Sequence, residues 1–450
     1  MSRVGWKSHA AYMLFLCIAL AMAVLSACDD SSSADADEPT ASLQKSSSSK
    51  AKSSSSKELY PDTFKPNDKE YPYANIPRIV IYTENQQKIE DRETEIPAKL
   101  QIWGKKEAES EIMDLTIRGR GNSSWEMPKK SYKIEFAKKQ ALLGMPKDKD
   151  WALIANYADK TLMKNYLMYH LSTKLGAYYS PRCEFAELYL NKNYLGVYLL
   201  TETIKIGKNR VNISKDNSYV VEIDEKYRQG EQVFFSNMQD SNSYKRAFRV
   251  HEPKQASAQT LNAAETHVHS FEKFLKEIQR NKDNHLDQWI DVQEYINHYW
   301  VQEFSKNPDA PFYTSVYFSL TGDLIKMGPI WDFDISLGGH KKQYIDSPQQ
   351  WYIKDAYWNN YIFKDSTMKQ SRFDFWNANK KVFSATLNVV DSIHAHLLDA
   401  AKNNFKKWDI LQSTSFKHHA HSYLSYDDAI EDLKLWIRER MLWIDSNIDL

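Results

Sequence analysis

Three aspartates have the type and spacing to act together in one reaction. Asp332 and Asp334 stand one residue apart in the mostly apolar segment MGPIWDFDISLGG, at residues 327–339. Carboxylates in apolar surroundings need a cation or hydrogen-bond donors, because removing their charge from water is costly. Asp309 lies upstream, and a predicted β-hairpin separates it from Asp332. Because a hairpin returns the chain to its starting point, we expect Asp309 and Asp332 to lie close together.

A carboxylate on each side of a hairpin is an arrangement found in the active sites of protein kinases. In that chemistry one carboxylate accepts or orients the proton of the acceptor hydroxyl. The other binds Mg²⁺, which prefers hard oxygen ligands and keeps several water molecules. A glycosidase is an alternative, because such enzymes also use paired carboxylates. Asp332 and Asp334 would share one face of a strand if the strand continued through them.

A glycine-containing segment upstream could contact phosphate groups. Residues 119–124 read GRGNSS, in which Ser124 stands where a third glycine would complete G-x-G-x-x-G. A tight turn explains this segment equally well. Lys129 and Lys130 follow at the start of a predicted strand, where a kinase keeps its phosphate-pairing lysine. Glu202 ends a later predicted strand and could pair with that lysine, or it could face solvent.

The elements that must position these residues alternate between strand and helix patterns. Strands are indicated by β-branched and aromatic alternation, and helices by apolar residues at helical spacing. The sequence therefore predicts an α+β fold with mixed or antiparallel sheets, and a mostly helical part beyond residue 339. Strands are predicted over 79–83, 98–103, 112–117, 131–136, 185–190, 194–200, 219–223, 313–320 and 324–330, and helices over 160–175, 287–306 and 427–444.

The N-terminus has the layout of an export signal. Arg3 and Lys7 precede an apolar run at residues 10–25, which ends in Leu-Ser-Ala-Cys at Cys28. A Leu-x-Ala-Cys ending resembles the bacterial lipoprotein signal, so we expect Cys28 to be lipidated. A transmembrane anchor is the alternative, although the run is short for a membrane span. Residues 29–70 are then predicted to be a disordered Ser/Lys-rich tether.

Composition excludes several other classes of function. Lys and Arg total 59 and Asp and Glu total 59, so no net positive charge indicates a nucleic-acid partner. Three cysteines are present, and two of them, Cys17 and Cys28, lie in the signal region. Cys183 would be the remaining cysteine of a processed chain, which allows neither an internal disulfide nor a cysteine-based zinc site.

Several long blocks, read together, resemble the CotH (spore-coat protein H) kinase family and follow in the order found there. They extend over about residues 112–339, roughly half of the chain. Six blocks carry the resemblance: IRGRGNSSWEMPKKSYKIEF, LLGMPKDKDWALIANYADKTLMKNYL, AELYLNKNYLGVYLLTETIKI, VVEIDEK, EFSKNPDAPFYTSVYFSL and MGPIWDFDISLGG.

The resemblance implies an atypical protein-kinase-like fold at residues 71–450, with a helical C-terminal part at 340–450. It implies binding of ATP with Mg²⁺ or Mn²⁺, and phosphorylation of serine residues of exported proteins. The chain would then be a kinase held at a bacterial membrane or cell envelope by its lipid anchor. A non-catalytic surface or assembly module that keeps the kinase fold is the alternative, and the two differ in whether Mg-ATP binds.

The motifs also imply roles for individual residues. Asp309 resembles the catalytic aspartate, and Asp332 resembles the metal-binding one, with Asp334 assisting. The residues that resemble phosphate-contacting groups are Arg118, Arg120 and Lys130, with Glu202 as the predicted carboxylate partner. One departure concerns Thr314, which stands where ordinary kinases have a metal-binding asparagine. A second metal ligand would therefore come from Asp334 or Asn307.

Overall fold

The computed structural model describes residues 59–239, 244–278 and 285–449 of the chain. The predicted lipoprotein signal at 1–28, with Cys28, lies outside these residues, as does the predicted tether up to residue 58. Among the helices of the described part, none is long and apolar enough to cross a membrane. Cys183 is a free, buried cysteine.

Seven strands form a closed barrel in the first part of the described chain. The neighbours around it follow the order β1-β2-β3-β4-β5-β7-β6, and the parallel pairing of β6 with β1 closes it. Alternate residues of each strand fill the interior, as Ile96, Ala98, Leu100 and Ile102 do on one strand. The strands are β1 (Arg78–Thr83), β2 (Ile96–Trp103), β3 (Met113–Arg120), β4 (Ser131–Gln140), β5 (Asp148–Ile154), β6 (Cys183–Leu190) and β7 (Asn193–Glu202).

A second, antiparallel sheet has five strands in the order β12-β11-β8-β10-β9. Its central strand β8 is almost wholly buried, because a helical layer contributes to the same hydrophobic core. Both sheets end at the same cavity, which is described below. The strands are β8 (Ser218–Ile223), β9 (Val233–Phe235), β10 (Ala247–Glu252), β11 (Val316–Thr321) and β12 (Leu324–Met327).

Helices form the remaining layer, and four of the seven helices in the described residues begin at a side-chain cap. The Asp291 side chain accepts a hydrogen bond from Glu294 N at the start of α3, and Lys306 ends that helix with φ 45°. Ser425 and Asp428 form a reciprocal capping box at the start of α7. The helices are α1 (Lys164–Lys174), α2 (Ala258–Glu277), α3 (Val292–Ser305), α4 (Gln343–Asp346), α5 (Asn359–Ile362), α6 (Ser366–Lys407) and α7 (Tyr426–Asn447).

The α+β class is confirmed, and most predicted elements are present with shifted ends. The helix predicted from residue 287 begins at Val292, because residues 286–288 form a separate 3₁₀ turn. The strand predicted to reach residue 330 ends at Met327. Residues 59–70, which the sequence places in the tether, contact the barrel: Phe64 is 2% exposed and packs edge-on against Tyr82. Phe64 stands among mostly polar residues in the sequence, so the composition of this segment did not indicate that it packs on the barrel.

Candidate active site

A cavity of about 280 Å³ lies where the barrel meets the second sheet. The turn after β3, the end of β8 and the segments on either side of the β11–β12 hairpin all contribute to its walls. Five of the residues that the sequence singles out line it: Asp309, Asp332, Asp334, Arg118 and Arg120. The expected approach of Asp309 to Asp332 across the hairpin is therefore present in the fold.

Asp309 is held by the backbone of the loop that follows α3. The left-handed conformation of Lys306 ends the helix and turns the chain toward the cavity. Asp309 N donates to Asn307 Oδ1 at 3.2 Å, and Asp309 O accepts from Tyr313 N at 3.0 Å. These bonds hold the backbone of Asp309 and do not involve its carboxylate, and the residue lines the cavity.

Asp332 has a left-handed backbone, with φ 66°, which is uncommon for a residue other than glycine. Asn307 Nδ2 donates to Asp332 O at 3.1 Å, and the next amide, Phe333 N, donates to Asn165 Oδ1 at 2.8 Å. Since β12 ends at Met327, strand alternation does not relate Asp332 to Asp334. A turn, rather than a strand, brings the two carboxylates into the same cavity.

The three carboxylates share a buried environment that opposes their ionisation. Burial and the charge of Asp332 raise the pKa of Asp309 to about 7, although Lys226 lowers it in part. Burial also raises the pKa of Asp332, against the opposing charges of Arg120 and Lys226. The pKa of Asp334 is raised well above its usual value by burial and by Asp332. A cation in this cavity would stabilise the ionised forms.

Arg120 is the predicted phosphate-contacting residue whose geometry fits that role best. Its guanidinium carbon lies 4.6 Å from the ring centre of Trp331, and burial lowers its pKa. Within the described part of the chain, its guanidinium makes no hydrogen bond or ion pair. Arg118 also lines the cavity, but it donates to Arg92 O and lies 3.6 Å from Glu95. Arg120 therefore has donors free for an anionic ligand.

Lys130 and Glu202 lie away from the cavity, so the geometry gives no support to their predicted roles or to their pairing. Lys130 Nζ donates to Trp125 O and lies 5.1 Å from the Trp125 ring centre. Glu202 is fully buried and accepts from Arg210 Nη1 at 2.6 Å and from Arg182 Nε at 2.9 Å. Arg182 and Arg210, 20 and 8 residues from Glu202 in the sequence, take the place of the expected lysine.

Two acidic residues at the end of β8 line the cavity and were not predicted. Glu222 accepts from Tyr317 Oη at 2.6 Å and lies 3.0 Å from His251 Nδ1. Burial alone would raise the pKa of Glu222, but His251 and Arg249 lower it to about 2. Asp224 Oδ1 accepts from Thr314 Oγ1 at 2.8 Å. Their spacing in the block VVEIDEK, two acids at alternate positions on a strand, was the available signal.

The donor set fits a hard divalent cation bound with few protein ligands. Among the described residues, no cluster of three or more His, Cys, Asp or Glu side chains could hold a metal by itself. Mg²⁺ commonly binds one or two carboxylates together with substrate phosphates and water. Asp332 and Asp334 could supply the carboxylates. Asn307, the other predicted metal ligand, donates through Nδ2 to Gln302 Oε1 and Asp332 O and accepts from Asp309 N through Oδ1. These bonds join the Asp309 loop to the backbone of Asp332.

Comparison with protein-family models matches residues 117–444 to the family described as CotH kinase protein. The matched region covers the cavity residues of both sheets and most of the C-terminal helical part. Comparison with curated proteins gives no match.

Proposed function

The chain belongs to the CotH kinase family, and we propose that it transfers the γ-phosphoryl group of ATP to serine hydroxyls of protein substrates. The observation that carries this proposal is the cavity lined by Asp309, Asp332 and Arg120, whose guanidinium makes no ion pair with any described residue. Phosphoryl transfer requires one carboxylate that accepts or orients the hydroxyl proton, another that binds the metal ion, and a cationic side chain that binds phosphate oxygens. The family membership supports kinase chemistry, and the cavity supports the assignment of residues.

In the proposed mechanism, Asp309 accepts the proton of the serine hydroxyl as that oxygen attacks the γ-phosphorus. A raised pKa suits this role, because a base is most effective when its pKa lies near the working pH. Asp332 and Asp334 would hold Mg²⁺ or Mn²⁺, which neutralises charge on the nucleotide phosphates when bound. Arg120 binds phosphate oxygens through its planar set of donors. Asn307 holds the backbones of Asp309 and Asp332 in fixed relative positions through its hydrogen bonds to both.

The overall arrangement is proposed to be an atypical kinase fold, with the nucleotide between the barrel and the second sheet. We also propose that the protein is exported and anchored through lipidated Cys28, because the N-terminal sequence has the layout of a lipoprotein signal. The substrates would then be proteins of the cell envelope. Mass spectrometry of the N-terminal peptide tests the anchor, and an unmodified Cys28 in membrane fractions would contradict it.

Substitution of Arg120 by alanine is expected to raise the Kd for Mg-ATP about 10- to 100-fold, because charge-assisted phosphate bonds are lost. Isothermal calorimetry measures this directly, and Arg120→Lys should recover part of the affinity. Arg438→Ala, an exposed arginine on α7, is the matched control. If wild-type protein neither binds Mg-ATP nor labels protein serines from γ-labelled ATP, the kinase proposal is wrong and a non-catalytic module is favoured.

Substitution of Asn307 by alanine is expected to lower kcat about 10- to 100-fold with little change in Kd for Mg-ATP. The reason is that Asp309 and Asp332 lose their shared hydrogen-bonded support, and small displacements of reacting groups are costly. Steady-state kinetics and calorimetry separate the two effects. Asn262→Ala, at an exposed asparagine on α2, is the control. An unchanged kcat would show that Asn307 does not position the carboxylates.

A further inference from the structure

The cations that line the cavity differ in whether they already have a partner. Three of them are engaged by nearby carboxylates, and they are therefore less available to a ligand. Among the described residues, Arg120 and Lys226 are the two that make no ion pair and no side-chain hydrogen bond. The engaged cations are Arg118 with Glu95, Arg228 with Glu93, and Arg249 with Glu222 and Glu231.

Lys226 is held beside the loop that carries Asp309. The backbone amide of Lys226 donates to Asp224 Oδ1 at 2.9 Å, and Asp224 also accepts the Thr314 hydroxyl. The backbone amide of Glu225, between Asp224 and Lys226, donates to Tyr313 O at 2.9 Å, and Tyr313 N donates to Asp309 O at 3.0 Å. The end of β8 and the Asp309 loop are thus joined by a short chain of hydrogen bonds.

The side chain of Lys226 extends over the Tyr313 ring, with its Nζ 5.5 Å from the ring centre, and is exposed to solvent. Arg120 is instead packed against Trp331 within the cavity. The two cations therefore differ in depth: Arg120 packs against an indole and is desolvated, whereas Lys226 is exposed. A lysine ammonium on a flexible stem can follow a group that moves during a reaction.

We propose that Lys226 is a catalytic residue that binds the transferred γ-phosphoryl group, an inference that rests on the proposed kinase function. During transfer the bond between the γ-phosphorus and the β–γ bridging oxygen breaks, and its electron pair stays on ADP. The bond between serine Oγ and the γ-phosphorus forms, and the hydroxyl proton passes to Asp309. Negative charge spreads over the equatorial oxygens of the phosphoryl group, where a nearby ammonium stabilises it.

The test compares Lys226→Met and Lys226→Arg with wild type, and uses Lys215→Met as control. Lys215 is exposed and precedes β8 as Lys226 follows it, and it does not line the cavity. We expect Lys226→Met to lower kcat about 10²-fold, comparable with loss of one transition-state donor. The Kd for Mg-ADP should stay within about twofold, because ADP lacks the γ-phosphate, and Lys226→Arg should recover part of kcat.

A binding measurement keeps the inference separate from the kinase proposal. Wild-type protein should bind a non-hydrolysable Mg-ATP analogue more tightly than Mg-ADP, and Lys226→Met should abolish that difference. If Lys226→Met loses the difference that wild-type protein shows, and wild-type protein transfers no phosphoryl group to protein serines, the Lys226 contact is supported and the kinase function is contradicted. Retention of the difference in Lys226→Met, or an equal loss of affinity for both nucleotides, would overturn the inference about Lys226.

Discussion

Asp309→Asn is expected to lower the rate of phosphoryl transfer to protein serines by about 10²- to 10⁴-fold, the range typical for removal of a general base. Asparagine preserves the shape of the side chain and the backbone bonds to Asn307 and Tyr313. The amide cannot accept the hydroxyl proton, so the effect should appear in kcat. Single-turnover labelling with γ-labelled ATP measures it, and the Kd for Mg-ATP should change by less than about threefold.

Two companion variants make this result specific to the site. Asp332→Asn should abolish transfer and also weaken nucleotide binding in the presence of Mg²⁺, since it removes a metal-binding oxygen charge. Asp323→Asn is the matched control, because Asp323 is fully exposed in the turn of the β11–β12 hairpin. Full activity of Asp309→Asn would remove Asp309 from the mechanism. Equal loss of binding in both site variants would instead favour a shared role in nucleotide binding.

The hairpin argument succeeded because it depends on topology and not on side-chain detail. The sequence places Asp309 before the hairpin and Asp332 after it, and an antiparallel pair must return the chain to its starting edge. The same argument failed to relate Asp332 to Asp334, because it assumed that the strand continued. The left-handed residue at Asp332 ends any such alternation. Aspartate is enriched in this conformation relative to most residues, but it adopts it too rarely for the residue type alone to predict it.

The choice among basic residues required tertiary contacts that sequence spacing does not encode. Arg118 and Arg120 are adjacent on one face of β3, yet Arg118 lies against Glu95, whereas Arg120 packs on Trp331 and makes no ion pair with any described residue. Lys130 matched the expected position of a phosphate-pairing lysine, but its ammonium is taken by the carbonyl of Trp125. Lys226, by contrast, ends the block VVEIDEK and was not predicted to contact phosphate, because the expected kinase lysine lies on an earlier strand. These cations differ less in residue type than in whether a nearby carboxylate or carbonyl group already binds them.

A buried ion pair lies at the C-terminal end of α3, next to the loop that carries Asp309. Arg440 on α7 donates through Nη2 to Glu303 Oε1 at 2.7 Å, and both side chains are fully buried. Glu303 further accepts the backbone amides of Tyr352 and Ile353, each at 2.8 Å. Glu303 lies in the last turn of α3, immediately before the loop that carries Asp309. The C-terminal helix α7 therefore supports, through this pair, the loop that carries Asp309.

Arg440→Met is accordingly expected to lower the free energy of unfolding by about 3–5 kcal/mol, because Glu303 is left charged and buried without its cation. Denaturant titration measures the loss, with Arg438→Met, an exposed neighbour on the same helix, as control. Adding Glu303→Gln should restore part of the stability, since the uncompensated charge is removed. If Arg440→Met alone left stability unchanged, the pair would not be what holds α7 against α3. A folded double variant with reduced kcat would further show that the pair positions Asp309 as well as stabilising the fold.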